Sequence, residues 1–149
     1  MIAAPPAISV FVTGNPQTKG SLHFWHRWAA NGRCMTGTSE QGGPRLAEWR
    51  ALIATAGKRA MRQEPPLSGP LRVCLSFWFA QPKTVKPDRL PWVYGNKRHD
   101  LDKLARACLD AMTDAAVWHD DSQVSVLLCD KRFADAAQRP GVLITVEAL

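Results

Sequence analysis

Between residues 71 and 79, Leu71, Val73, Leu75, Phe77 and Phe79 alternate with Arg72, Cys74, Ser76 and Trp78. Apolar residues at unbroken period two describe a strand with one face committed to a core. A lone strand cannot bury that face, so its flanks must supply the rest of the layer. Upstream, Leu46, Trp49, Ile53, Ala56 and Ala60 recur at helical spacing, opened by Gly43-Pro44 and stopped by Pro65-Pro66. Downstream, Leu101, Leu104, Ala105, Cys108 and Met112 share one face of a helix running from about Asp100 to Asp114. Ile8, Val10 and Val12 alternate with Ser9, Phe11 and Thr13 as a first strand. Val124 to Phe133 and Val142 to Val146 read as two more, joined by the turn Gln138-Arg139-Pro140-Gly141.

The expected order is β-α-β-α-β-β: an α+β (mixed α/β) fold, with a mixed β-sheet and two main helices on one of its faces. At 149 residues and 46% hydrophobic, the chain suits one domain, 1–149, and is short for two. Residues 14–43, rich in Gly, Thr, Ser and Asn, read as a long loop or irregular hairpin. Residues 81–98 read as a Pro- and Lys-rich basic connection. No run approaches the roughly 18 apolar residues of a membrane span, and Met1 to Val12 has no basic start and carries Pro5-Pro6 where a signal peptide needs helix. Cys34, Cys74, Cys108 and Cys129 lack C-x-x-C spacing, sit mostly among apolar neighbours and read as reduced core cysteines rather than disulfides or a zinc site. A cytoplasmic protein is the expectation.

The formal net charge of +6 is unevenly spread: +3 over residues 1–57, +7 over 58–106 and −4 over 107–149. A basic middle favours a polyanionic partner such as nucleic acid, whose binding releases counterions. Ordinary solubility accounts for the charge about as well.

Beside that basic stretch stand His99-Asp100-Leu101-Asp102 and, after the helix, Asp120-Asp121. Asp100 falls at the N-cap and Asp102 in the first turn, so both carboxylates lie near one helix end. A hard divalent cation could gather their oxygens, and several carboxylates at one place suit metal-assisted phosphodiester hydrolysis. Asp120-Asp121 returns to the same end only if the helix and the following strand pack antiparallel. The plainer account has Asp100 and Asp102 capping the helix and Asp120-Asp121 in a solvated turn. Asp102, Arg106 and Asp110 lie i, i+4 apart on one polar stripe, either an intrahelical ion-pair ladder or an arginine aimed at a phosphate. His119 is a ligand, a general acid or simply solvated. His23, Trp25, His26 and Trp28 offer faces for stacking on unpaired bases or a small core for their own loop. Trp49, Trp78 and Trp118 read as packing.

The segment K-R-H-D-L-D-K-L-A-R-A-C-L-D-A-M, Lys97 to Met112, followed by W-H-D-D-S-Q-V, Trp118 to Val124, resembles the RusA family of Holliday-junction resolvases. Gly14-Asn15-Pro16-Gln17-Thr18-Lys19-Gly20 is similar to that family's opening Gly-x-Pro-x-x-Lys stretch. The resemblance is closest over about residues 97–133. It implies a single endonuclease domain of phage type that cuts four-way DNA junctions by paired symmetrical nicks, in DNA recombination and repair. It implies Mg²⁺ as cofactor, with Mn²⁺ as a substitute, and a homodimer. Asp100, Asp102 and Asp121 match the metal-binding catalytic aspartates, Asp120 the first of the paired acids, Asp110 the helical acid and Lys131 the strand lysine. With these, Lys19, Lys97, Arg98, Lys103 and Lys131 are the expected DNA contacts.

Two departures from the family pattern matter: Lys103 replaces an Asn after the second Asp, and Arg106 replaces a helix lysine; His99, in place of a common Pro, is a lesser one. Arginine keeps the charge and can hold a phosphate bidentately, but it cannot give up a proton at neutral pH. An electrostatic role therefore survives the change and a general-acid role does not. A two-fold dimer also suits a junction, whose strands are related by two-fold symmetry. The alternatives are a non-catalytic reader of junction shape and a nuclease acting on flaps or forks.

Overall fold

The computed structural model describes residues 7–20, 22–40, 42–86, 88, 90–94 and 99–149, so Lys97 and Arg98 lie outside the described residues. In chain order it forms β1 (Ile8–Thr13), β2 (Leu22–Trp28), β3 (Cys34–Glu40), α1 (Gly43–Met61), β4 (Leu71–Phe79), α2 (Leu101–Asp114), a 3₁₀ turn (Asp121–Gln123), β5 (Val124–Phe133) and β6 (Gly141–Ala148). The main sheet has the order β1-β6-β4-β5. β6 runs antiparallel to both β1 and β4, whereas β4 and β5 are parallel, with Leu75 opposite Cys129 and Phe79 opposite Phe133.

The alternating run of β4 explains this arrangement. Leu71, Val73, Leu75, Phe77 and Phe79 are all buried, and they join Val142, Ile144 and Val146 of β6 under the two helices. α1 contributes Trp49, Ile53 and Met61 to that core, and α2 contributes Leu104, Ala105, Cys108, Ala111 and Met112. The helices therefore cover one face, as expected. On the other face the Phe11 and Trp78 rings lie 6.0 Å apart, and Ser76 donates to Asp130 at 2.9 Å. Trp118 is buried with its indole N–H donating to Thr113 Oγ1, and Trp49 is buried against Gly14. Gly14 has a φ of 153°, and a Cβ there would lie 2.9 Å from the Trp49 ring. Only glycine lets the chain leave β1 that closely.

Within residues 14–43 the structure forms a two-stranded antiparallel sheet, β2–β3, with Trp28 opposite Cys34. Its sequence conceals the strands because there is no buried face to impose alternation: residues 23 to 28 are all exposed. Among the described residues no helix is long and apolar enough to cross a membrane. Of the four cysteines expected in the core only Cys108 is buried: Cys34 is exposed on β3, where the hairpin has no buried face, and Cys74 and Cys129 are half-buried. Burial pushes the Cys108 thiol up and, with help from Asp130 and Cys74, raises Cys129 to about 11. Both of those thiols stay protonated and unreactive at neutral pH.

The two helices touch at Gly57, where a Cβ would meet Met112 Sδ at 3.0 Å and Ala115 Cβ at 3.1 Å. The sheet holds both helices in place, so added bulk at this contact has little room to relax. Gly57→Val is expected to lower stability by about 1–3 kcal/mol through overpacking. Equilibrium urea unfolding measures it, and an unchanged midpoint would contradict the close helix contact.

Candidate active site

α2 begins at Asp100, which is extended (φ −63°, ψ 126°) and whose carbonyl accepts from Leu104 N at 3.0 Å. Its carboxylate makes no capping hydrogen bond and instead meets Lys103 Nζ at 3.1 Å. Asp102 stands exposed one position into the helix. The pair thus occupies the positive end of the helix dipole, which favours carboxylates or other anions there.

Four contacts hold α2 from this end. Lys131 on β5 donates its ammonium to the His99 carbonyl at 2.6 Å. The His99 ring lies 4.2 Å from the Phe79 ring at the end of β4. Lys19 donates its backbone N–H to Lys103 O at 3.1 Å, and its ammonium pairs with Asp110 at 2.5 Å. This last pair decides the helical stripe: Asp110 turns to Lys19, so the Asp102–Arg106–Asp110 ladder does not form. Arg106 is exposed and makes no ion pair among the described residues. Of the five cations expected at DNA, Lys19, Lys103 and Lys131 each hold a partner within the fold, and Lys97 and Arg98 fall outside the described residues.

Asp120 and Asp121 are organised differently. Asp120 caps the 3₁₀ turn by accepting from Ser122 N at 2.8 Å, and Gln123 Oε1 accepts in return from His119 N at 2.8 Å and Asp120 N at 3.2 Å. D-D-S-Q is therefore a capping box. The Gln123 amide also donates to Leu67 O and Gly69 O, at 2.9 and 3.1 Å, which pins the turn to the segment leading into β4. The hydrogen bonds from Ser122 hold the Asp120 carboxyl below its ordinary range. Asp121 and His119 are exposed beside it.

The two acidic groups do not meet within one chain. α2 and β5 do run antiparallel, but Asp120-Asp121 precedes β5 and so lies beside the C-terminal end of α2. The 14 residues of α2 span about 20 Å. Along β5, Val124 to Lys131 spans about 23 Å, and it is Lys131 that reaches the Asp100 end. Accordingly, no three acidic, His or Cys side chains gather as a metal site among the described residues.

Other residues enter that motif reading did not single out. Gln123 is the hub of the acidic turn, and its signal was the capping-box spacing. Phe24, on β2, is 84% exposed and joins Trp25 and Trp28 (42% and 68%) on an open hairpin. Arg45, at the start of α1, lines a cavity of about 570 Å³ that reaches His99. No local pattern marked Phe24 or Arg45.

A family model described as endodeoxyribonuclease RusA matches residues 22–147 of the chain. No curated protein matches it. The matched stretch contains both acidic groups and the hairpin, and it excludes the Gly14–Gly20 loop.

The depressed carboxyl of Asp120 stabilises the turn above the carboxyl's unfolded-state pKa, and this stabilisation is lost as pH falls through the lower folded-state value. Ser122→Ala removes one of the two donors. Carboxyl NMR titration is expected to show the Asp120 midpoint moving up toward its ordinary 3.8 in that variant. An unmoved midpoint would assign the depression to something other than Ser122.

Proposed function

Because the chain belongs to the RusA family of endodeoxyribonucleases, we propose that it resolves four-way DNA junctions by paired nicks, with Mg²⁺ as cofactor and as a homodimer. The observation that carries this reading is the helix end at Asp100 and Asp102. There, two carboxylates at an anion-favouring terminus stand beside Arg106, an exposed guanidinium without an ion pair among the described residues. The donor set is all oxygen, with no thiolate, and Mg²⁺ takes one or two carboxylates while leaving positions for phosphate oxygens. Asp100 and Asp102 would hold the ion. When bound, the ion supplies charge stabilisation to the phosphodiester as water attacks it.

The protein's own residues account for the rest. Lys131 and Phe79 fix His99, and through it the direction in which Asp100 leaves the strand layer. Lys19 fixes the first turns of α2 against the preceding loop. Arg106, one turn beyond Asp102, holds a phosphate oxygen and stabilises the charge that develops there. The exposed rings of Phe24, Trp25 and Trp28 offer stacking faces for the unpaired bases of a branch point.

Asp120 and Asp121 enter through a second copy. Among the described residues, the outer edge of β5 is met only at its far end, by residues 91–93, where Phe133 N donates to Pro91 O at 2.7 Å. The nearer half carries Leu127 and Leu128, which are 41% and 56% exposed, and no strand among the described residues pairs with it there. Two-fold antiparallel apposition of these edges carries the partner's Asp121 to the end of β5 where Asp100 and Asp102 lie. Each dimer then has two complete sites related by the axis, matching a junction's paired strands.

One contact favours a second reading, a junction binder that does not cut. Lys103 Nζ lies 3.1 Å from Asp100 Oδ2 and competes with a cation for that carboxylate. Cutting by the wild type beside Asp102→Asn separates the two. The nuclease reading expects the substitution to abolish cutting of a four-way junction while junction affinity stays within a few-fold of wild type. Strand cleavage and a gel-shift titration measure both. Metal-dependent cutting that persists in this variant would remove Asp102 from the site.

A further inference from the structure

Beside the helix end lies the cavity of about 570 Å³. Its volume is in the range of small-ligand pockets. Phe79, at 5% exposure, lies deepest among its aromatic residues; the His99 ring lies against it, and Tyr94, 54% exposed, stands at the rim. Asn15 and Gln17 of the loop after β1 line it too, as does Arg45 at the start of α1. None of the described residues that line it is acidic.

We infer that this cavity takes an unstacked nucleobase from the nucleotide next to the cleaved phosphate. The inference rests on the nuclease reading, and location is its first support. His99 lines the cavity and precedes Asp100 by one residue, about 3.8 Å between Cα atoms. With a phosphate held at Asp100 and Asp102, the neighbouring nucleotide is the part of the strand that reaches the cavity. Chemistry is the second support. Aromatic walls accept the face of any base, whereas a carboxamide presents a donor and an acceptor side by side and so distinguishes base edges. The Gln17 amide is held toward its own loop by donating to Asn15 O at 3.1 Å, which keeps it in place at the cavity. Arg45 supplies positive charge for a phosphate alongside. A branch point lowers the cost of unstacking, because bases there have already lost a neighbour.

The aromatic walls therefore provide hold, and Asn15 and Gln17 provide choice.

The test uses four-way junctions in which a nucleotide flanking the cut is in turn A, C, G, T or abasic. Single-turnover cutting in Mg²⁺ is followed for the wild type, Gln17→Ala and Gln17→Glu. On one side of the cut, wild-type rates are expected to spread at least tenfold over the four bases, with the abasic junction among the slowest. Gln17→Ala compresses that spread to within threefold, and its deficit relative to wild type vanishes on the abasic junction. Gln17→Glu, which keeps size and exchanges a donor for an acceptor, reorders the bases. A wild-type base ranking retained in both variants overturns the assignment, as does a wild type that cuts all five junctions alike. If the wild type cuts none of them, the nuclease reading falls and the assignment falls with it.

Discussion

The parallel pairing of β4 with β5 governs where the acidic groups lie. Two parallel neighbours cannot be joined by a hairpin, so the chain must travel back along the sheet, and it does so as α2. Whatever follows β4 is then left at one end of the layer and whatever precedes β5 at the other. Asp100 and Asp102 belong to the first group, Asp120 and Asp121 to the second. The same topology puts the cavity, Phe79, His99 and the first turn of α2 at the carboxyl ends of β4 and β5, where parallel strands commonly present ligands. The roughly 20 Å between the acidic groups is thus a consequence of the fold. It makes two copies a requirement for a site that uses both.

Charge in this protein is divided between holding the site and meeting a ligand. Lys131, Lys19 and Lys103 belong to the basic excess by count, yet each spends its ammonium on a partner around α2. Arg106 is the cation beside Asp102 that keeps its head group in solvent. An arginine here carries a permanent charge and several donor directions, so the position suits electrostatic stabilisation and not proton delivery. Lys103 adds a local competitor for Asp100. A cation held through Asp100 Oδ2 would have to displace that contact.

The sheet and its helices were legible because their residues alternate between a core and solvent. Leu71 to Phe79 and the apolar face of α2 declare their periods, and the structure keeps both. β2 and β3 were not legible as regular strands, since a hairpin exposed on all sides imposes no alternation on Phe24, Trp25 or Trp28. The acidic residues were legible as types but not as a constellation. Sequence spacing placed Asp100 and Asp102 correctly on one helix end. It could not say that antiparallel packing of α2 and β5 carries Asp120-Asp121 away from that end. The Asp110 partner was likewise hidden: the local stripe suggested Arg106, while the cation that arrives is Lys19, brought from the loop after β1 by tertiary structure. Gln123 combines both cases: its capping spacing is local, while its bonds to Leu67 O and Gly69 O come from tertiary structure.

The claim that the site is completed between two copies is tested most directly by complementation. Asp102→Asn and Asp121→Asn proteins, each inactive alone, are co-expressed so that mixed dimers form and are then given a four-way junction with Mg²⁺. If Asp102 and Asp121 meet across the interface, a mixed dimer has one doubly substituted site and one intact site. Nicking of one strand per junction should return. If the two residues act within one chain, both sites of every mixed dimer are defective. A mixture as inactive as its components would contradict the account.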